Sequence, residues 1–155
     1  MQNLKDIPCL ILGIGNILWA DEGFGVRVVE AFNDKYAFTD PNNVIADGGT
    51  LGMYLYDRIC RAEKLLIFDC CDFKGKPGEL RVLRNDDVKL WTSTKISPHQ
   101  TGMNDLLVAA AVRGAVPKEI AVVGFQPVLL DDYGGSLSPE AKANIDEAVR
   151  DGYEI

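Results

Sequence analysis

Two hydrophobic periods alternate along the chain, and each predicts a different kind of element. The run Cys9-Leu10-Ile11-Leu12 is apolar without interruption and ends in Gly13-Ile14-Gly15-Asn16. A short unbroken run of this kind marks a strand buried on both faces. Residues 23–35 carry Phe24, Val28, Ala31 and Phe32 at spacings of three and four, which predicts a helix. Asp40-Pro41-Asn42-Asn43 makes a turn, Val44-Ile45-Ala46 a short second strand, and Asp47-Gly48-Gly49-Thr50 its end. A second helix is expected over residues 51–61, with Leu51, Leu55, Ile59 and Ala62 on one face. Leu65, Leu66, Ile67 and Phe68 form a third strand that ends in Asp69.

Glu79-Leu80-Arg81-Val82-Leu83-Arg84 alternates polar and apolar, the mark of a half-exposed strand at a sheet edge. Residues 92–101 show no period and predict a loop, and residues 102–113 predict a helix with Leu106, Leu107, Ala110 and Ala111 inward. Residues 119–125 form the last buried strand, and 126–135 a long loop. Ser138 and Pro139 suit the N-cap and first position of a final helix. Strands alternating with helices predict a three-layer α/β/α domain with a mostly parallel central sheet of about five strands. One such domain accounts for residues 1–155.

Composition narrows the functional classes. Hydrophobic residues make up 47% and charged residues 25%, an ordinary soluble balance. A net charge of -7 argues against nucleic acid or an anionic membrane as partner, since both require a positive face. No stretch is long and apolar enough to span a bilayer, and the N-terminus lacks the marks of a signal peptide. The cysteines Cys9, Cys60, Cys70 and Cys71 form no C-x-x-C pair and suit reduced, buried thiols. The expectation is a cytoplasmic protein, and a small acidic domain is expected to be a monomer.

Ligands of parallel sheets bind beyond the carboxyl ends of the strands. Asp21 and Glu22 follow the first strand, Asp47 ends the second and Asp69 ends the third. The Gly13-Ile14-Gly15 turn suggests a dinucleotide site, but the third glycine of that pattern would fall at Leu18. Glu22, Asp69 and the single histidine, His99, would offer two carboxylates and one imidazole from three loops. That set suits a borderline divalent ion such as nickel or zinc and leaves a coordination position open. Spacing alone does not establish it: a single histidine is more often structural, and carboxylates at a helix start also answer the helix dipole. Asp47-Gly48-Gly49-Thr50 would let another backbone approach, or form a tight turn with Thr50 as a cap. Trp19 and Phe24 are either core or an exposed surface for a protein partner. Cys70 and Cys71 read as packed thiols.

The motifs taken together are specific. Gly13-Ile14-Gly15-Asn16-Ile17-Leu18 with Asp21-Glu22-Gly23-Phe24-Gly25, then Asp47-Gly48-Gly49-Thr50, Ile67-Phe68-Asp69 and Ser97-Pro98-His99-Gln100, resemble the nickel-iron hydrogenase maturation proteases. Gly124-Phe125-Gln126-Pro127 and 133–138 resemble the branch serving uptake-type hydrogenases. The resemblance implies an endopeptidase that removes a C-terminal extension from the hydrogenase large-subunit precursor after nickel insertion. It implies that Glu22, Asp69 and His99 bind metal and act in catalysis, with nickel carried by the substrate and no organic cofactor. Asp47, Gly48, Gly49 and Thr50 are the candidate substrate-binding residues. The metal could polarise the scissile carbonyl, or Glu22 or Asp69 could serve as general base, so metalloprotease and aspartic-type protease both remain open. A non-cleaving escort of the nickel-loaded precursor is the alternative function.

Overall fold

The computed structural model describes residues 5–14, 23–35, 44–47, 53–70, 75–85, 98–126, 128 and 137–154. In chain order these form β1 (Ile7–Gly13), α1 (Phe24–Lys35), β2 (Val44–Asp47), α2 (Met53–Arg61), β3 (Ala62–Cys70), β4 (Leu80–Arg84), α3 (Pro98–Arg113), β5 (Glu119–Phe125) and α4 (Pro139–Glu154). The sheet order is β2-β1-β3-β5-β4. β2, β1, β3 and β5 run parallel, and β4 joins the edge antiparallel to β5. The expected α/β/α domain with a mostly parallel five-stranded sheet is therefore the observed one.

Side chains alternate across the strands, and the two sets fill two cores. Leu10, Leu12, Leu65, Ile67 and Val122 pack with Leu55 and Ile59 of α2 and Ala110 of α3. Ile11, Leu66, Phe68, Val123 and Phe125 pack with Phe24, Val28 and Phe32 of α1 and Ala141, Ala148 and Val149 of α4. Each of the larger side chains is essentially removed from water, worth about 1.5–3 kcal/mol apiece before conformational entropy is set against it. Phe24 belongs to this core: its ring stacks on Phe125 at 4.6 Å, joining the first residue of α1 to the last of β5. The final helix begins as its sequence predicts, with the Ala141 amide donating to Ser138 Oγ at 3.2 Å.

Four expectations are corrected. α3 starts at Pro98 rather than 102, because proline suits the first turn of a helix even where no apolar repeat marks it. Ala62 opens β3 instead of closing the face of α2. Ala111 is exposed, since residues 106–112 are all apolar and no polar position sets the phase, and the buried position is Ala110. Cys9 is half-buried rather than buried; Cys60 and Cys70 are buried free thiols. Among the described residues, no helix is long and apolar enough to cross a membrane.

Two contacts hold the ends of the sheet. At the carboxyl edge, α1 meets β1 and β3 with no side chain between. A Cβ on Gly13 would lie 2.8 Å from Val29 Cγ2 and closer to the Gly25 carbonyl oxygen. One on Gly25 would lie 2.5 Å from the Ile14 oxygen and closer to that of Phe68. At the opposite end, the Lys5 ammonium donates to the carbonyls of Cys60 and Ala115 at 2.8 Å and of Ala62 at 3.1 Å. It thereby satisfies carbonyls at the end of α2, the start of β3 and the turn after α3.

The Gly25→Ala variant is expected to lose about 3 kcal/mol or more in denaturant unfolding, because the new methyl meets backbone that cannot step aside. Lys5→Met keeps the aliphatic stem but removes the donors, and is expected to cost about 2 kcal/mol in the same measurement. An unchanged midpoint in either variant would contradict the corresponding contact.

Candidate functional site

The strand order creates a crevice before any side chain is considered. β1 lies between β2 and β3. α1, which links β1 to β2, packs on one face, and α2, which links β2 to β3, packs on the other. The chain leaves β1 toward β2 on one side and leaves β3 toward β5 and β4 on the other, and a sheet whose strand order reverses in this way has its crevice at the carboxyl ends, here between β1 and β3. Gly13 pairs with Phe68 across this boundary and with Asp47 on its other side. The Ile14 amide donates to the Phe68 carbonyl at 3.0 Å, closing the two strands at their ends.

Asp69 stands at that boundary. Leu65 and Ile67 face α2 and α3, so alternation places position 69 on the same side. Its register partner on β5 is Gly124, which contributes no side chain to fill the adjacent space. Asp69 is 2% exposed, and its Oδ1 accepts from the Cys70 amide at 2.8 Å. A buried carboxylate is costly unless hydrogen-bonded or paired, so an aspartate retained at the end of an apolar strand marks a position with a polar task.

α3 brings position 99 to the same end. Its 16 residues rise about 24 Å, close to the length of the seven-residue β5 at about 3.3 Å per residue. A tight reversal joins them: the Ala115 amide donates to Ala110 at 2.8 Å, and Gly114 takes a φ of 74°. The helix thus runs back along the sheet, and its first turn lies level with the strand ends. Position 99 falls in that first turn. His99 therefore belongs to a helix start, not to the loop its sequence suggested; its side chain lies outside the described residues.

Glu22 also lies outside the described residues. Gly25, three residues further along the chain, rests on the Phe68 carbonyl. Asp47 ends β2 in line with Gly13, with its side chain outside the described residues. Gly48, Gly49, Thr50, Asp21, Trp19 and Cys71 fall outside them too. Among the described residues, no three His, Cys, Asp or Glu groups are placed to hold a metal ion.

Directly after β5 stands a residue that the sequence left in a loop. Gln126 is 9% exposed, and its Oε1 accepts from the Gly75 amide at 3.1 Å. The signal was present: a polar residue placed directly after a fully buried strand needs partners. Nearby, the Lys76 amide and the Arg81 guanidinium hold the Glu79 carboxyl below its usual range. At the far end, the bond from Arg61 lowers Asp6, while burial pushes Lys5 down. Burial raises the Cys9 thiol, which is the opposite of what a nucleophile requires.

A family model described as hydrogenase maturation protease matches residues 26–154. The chain is 47% identical over 147 residues to the hydrogenase expression/formation protein HoxM of Azotobacter vinelandii, spanning 94% of this chain and 70% of that one. It is 40% identical over 141 residues to the hydrogenase 2 maturation protease of Escherichia coli, spanning 90% and 85%. Among solved structures, the hydrogenase maturating endopeptidase HybD from E. coli superposes with a TM-score of 0.86 at 38% identity, covering 94% of this chain and 89% of that one.

The Asp69→Asn variant keeps an oxygen for the Cys70 amide and lifts a buried charge, so it is expected to unfold at the same or higher denaturant than the parent. Asp69→Ala removes that acceptor and should lose about 1–3 kcal/mol. Equal destabilisation of both variants would show that the carboxylate itself, not its hydrogen bond, supports the fold.

Proposed function

The chain belongs to the hydrogenase maturation protease family and is a maturation endopeptidase; from that premise we propose that it acts after nickel insertion, cutting the C-terminal extension from a nickel-iron hydrogenase large-subunit precursor. The observation that carries this reading is Asp69, a nine-tenths-buried carboxylate at the mouth of the β1/β3 crevice. α1, which follows Glu22 in the chain, packs on one face of the sheet, and α3, whose second residue is His99, packs on the other. Two carboxylates and an imidazole are a donor set for a borderline divalent ion.

In this reading nickel belongs to the substrate. It arrives held by precursor cysteines, and Glu22, Asp69 and His99 take up its open coordination, anchoring the scissile region at the strand ends. Asp47-Gly48-Gly49-Thr50 lets the extended peptide lie close to the backbone. Hydrolysis adds water to the scissile carbonyl, breaks the C–N bond and delivers a proton to the leaving amine. Glu22 or Asp69 takes the water's proton if the carboxylates act as base. If the nickel polarises the carbonyl, they serve to hold it. A precursor without nickel lacks the anchor, which spares other cytoplasmic proteins. The chain needs no organic cofactor for this reaction and works as a monomer in the cytoplasm.

Nickel-loaded and nickel-free precursor, each incubated with the protein and weighed intact, test the proposal. Loss of a C-terminal peptide from the loaded form alone is expected. Cleavage of both forms would discard nickel recognition, and a stable complex without cleavage would favour an escort. His99→Ala is expected to abolish processing with its thermal unfolding unchanged; full activity in that variant would sink the ligand set.

A further inference from the structure

The row of side chains that contains Asp69 continues past it across the sheet. Asp69 pairs with Gly124 on β5, and Gly124 pairs with Arg81 on β4. Register partners point to one face, and Leu83, two residues from Arg81, is buried in the α2/α3 core. Asp69 and Arg81 therefore share the α2/α3 face, two strand spacings or about 10 Å apart. Gly124 puts no side chain between them. Arg81 is also held toward the carboxyl ends of the strands. Because β4 runs antiparallel to β5, Glu79 lies nearer those ends than Arg81 does. Arg81 Nη2 donates to Glu79 Oε2 at 3.0 Å, and Glu79 Oε1 accepts from the Lys76 amide at 3.1 Å. The guanidinium is thus drawn to the rim on which Asp69 stands, and its side chain is 45% exposed.

In a chain of net charge -7, a cation fastened beside the candidate site gives the strand ends a charge pattern. Asp47 stands at one edge of the sheet, Asp69 at its centre and Arg81 at the other edge. A peptide lying across those ends meets carboxylates first and a guanidinium last. We propose that Arg81 is a substrate-binding residue that holds a carboxylate of the precursor's C-terminal extension, about three residues from the group anchored at Asp69, since an extended residue advances about 3.3 Å. The inference rests on the proposed function and adds one subsite to it. Asp69 takes the cation, Arg81 the anion, and the two poles set the direction in which the extension lies. Arginine suits this task because its planar fork carries five N–H donors and matches a carboxylate with two parallel bonds. The Glu79 pair is exposed and worth little to stability on its own; its part is to aim the guanidinium. The carboxylate belongs either to an acidic side chain of the extension or to its chain terminus.

The test measures cleavage of nickel-loaded precursor by the parent chain and by Arg81→Gln, at low and high salt. Arg81→Gln should raise KM about tenfold or more with kcat within about threefold, the signature of lost ground-state binding. Added salt should raise KM in the parent and leave it nearly flat in Arg81→Gln, with the thermal unfolding midpoint unchanged. Two altered precursors identify the source of the carboxylate. One has the acidic side chains of its extension changed to amides, and the other carries extra glycines that displace its terminus. The one that removes the partner should raise KM for the parent and have no further effect on Arg81→Gln. Parental KM and salt response in Arg81→Gln would overturn the subsite and leave the proposed function standing. So would a parent chain indifferent to both altered precursors. A lowered unfolding midpoint in Arg81→Gln would make the residue structural, and the subsite falls. Absence of cleavage by the parent chain would overturn the proposed function, and this role with it.

Discussion

The close approach of Gly13 and Gly25 is the constraint on which the carboxyl edge depends. It brings the start of α1 against the ends of β1 and β3 with only backbone at the contact. Phe24, one residue earlier, can then reach Phe125 and stack on it, so α1 is registered against the far side of the sheet as well as the near. Gly13 and Gly25 thus have a steric reason that does not involve phosphate. The same contact sets both ends of the chain between Ile14 and Gly23 at the strand ends, beside Asp69. One helix–sheet contact therefore serves the core and the site together.

The crevice itself follows from topology. The chain turns one way from β1 to β2 and the other way from β3 to β4 and β5, so the strand order reverses where β1 and β3 meet. Asp69 is at its mouth because it follows Phe68, the partner of Gly13, on a strand that runs two residues past that pair. Gly124 beside it leaves side-chain space on the α2/α3 face, which is also the face that α3 covers. A polar group there sits in low dielectric, where its interactions with an incoming cation or a developing charge are stronger than in water.

How much of this was legible depended on whether one period dominated locally. β3 and β5 were plain because their apolar runs have no polar interruption, and β4 was plain as an edge because it alternates. Ala62 was misplaced because alanine satisfies either period. The phase of α3 was ambiguous because Val108 and Val112, at 55% and 86% exposed, are as apolar as the buried line through Ala110. Its start was hidden because Pro98-His99-Gln100-Thr101 offers no apolar repeat, so the structural sign was Pro98 alone. Asp69 could be nominated as a strand-end carboxylate. Its company could not be read, because convergence is set by strand order and crossover faces, which no local pattern encodes. Gln126 was missed for the same reason: its main-chain and Oε1 partners come from a segment about fifty residues earlier.

The two ends of the sheet differ in kind. Lys5, bound to carbonyls of α2, β3 and the turn after α3, closes the amino end, where Arg61 also pairs with Asp6 at 2.7 Å and Lys64 with Glu119 at 3.3 Å. The exposed ion pairs add little on their own, whereas the Lys5 ammonium ties three segments of chain. Asp6 and Glu79 have carboxyls held below their usual range, by Arg61 in one case and by the Lys76 amide and Arg81 in the other. Such groups contribute stability that is complete above the unfolded carboxylate value near 4 and is lost as pH falls through the lower folded value. The amino end is thus fastened by ion pairs and by an ammonium on carbonyls, while the carboxyl end, where Gly13 and Gly25 meet α1 and the strands, is fastened by backbone contact.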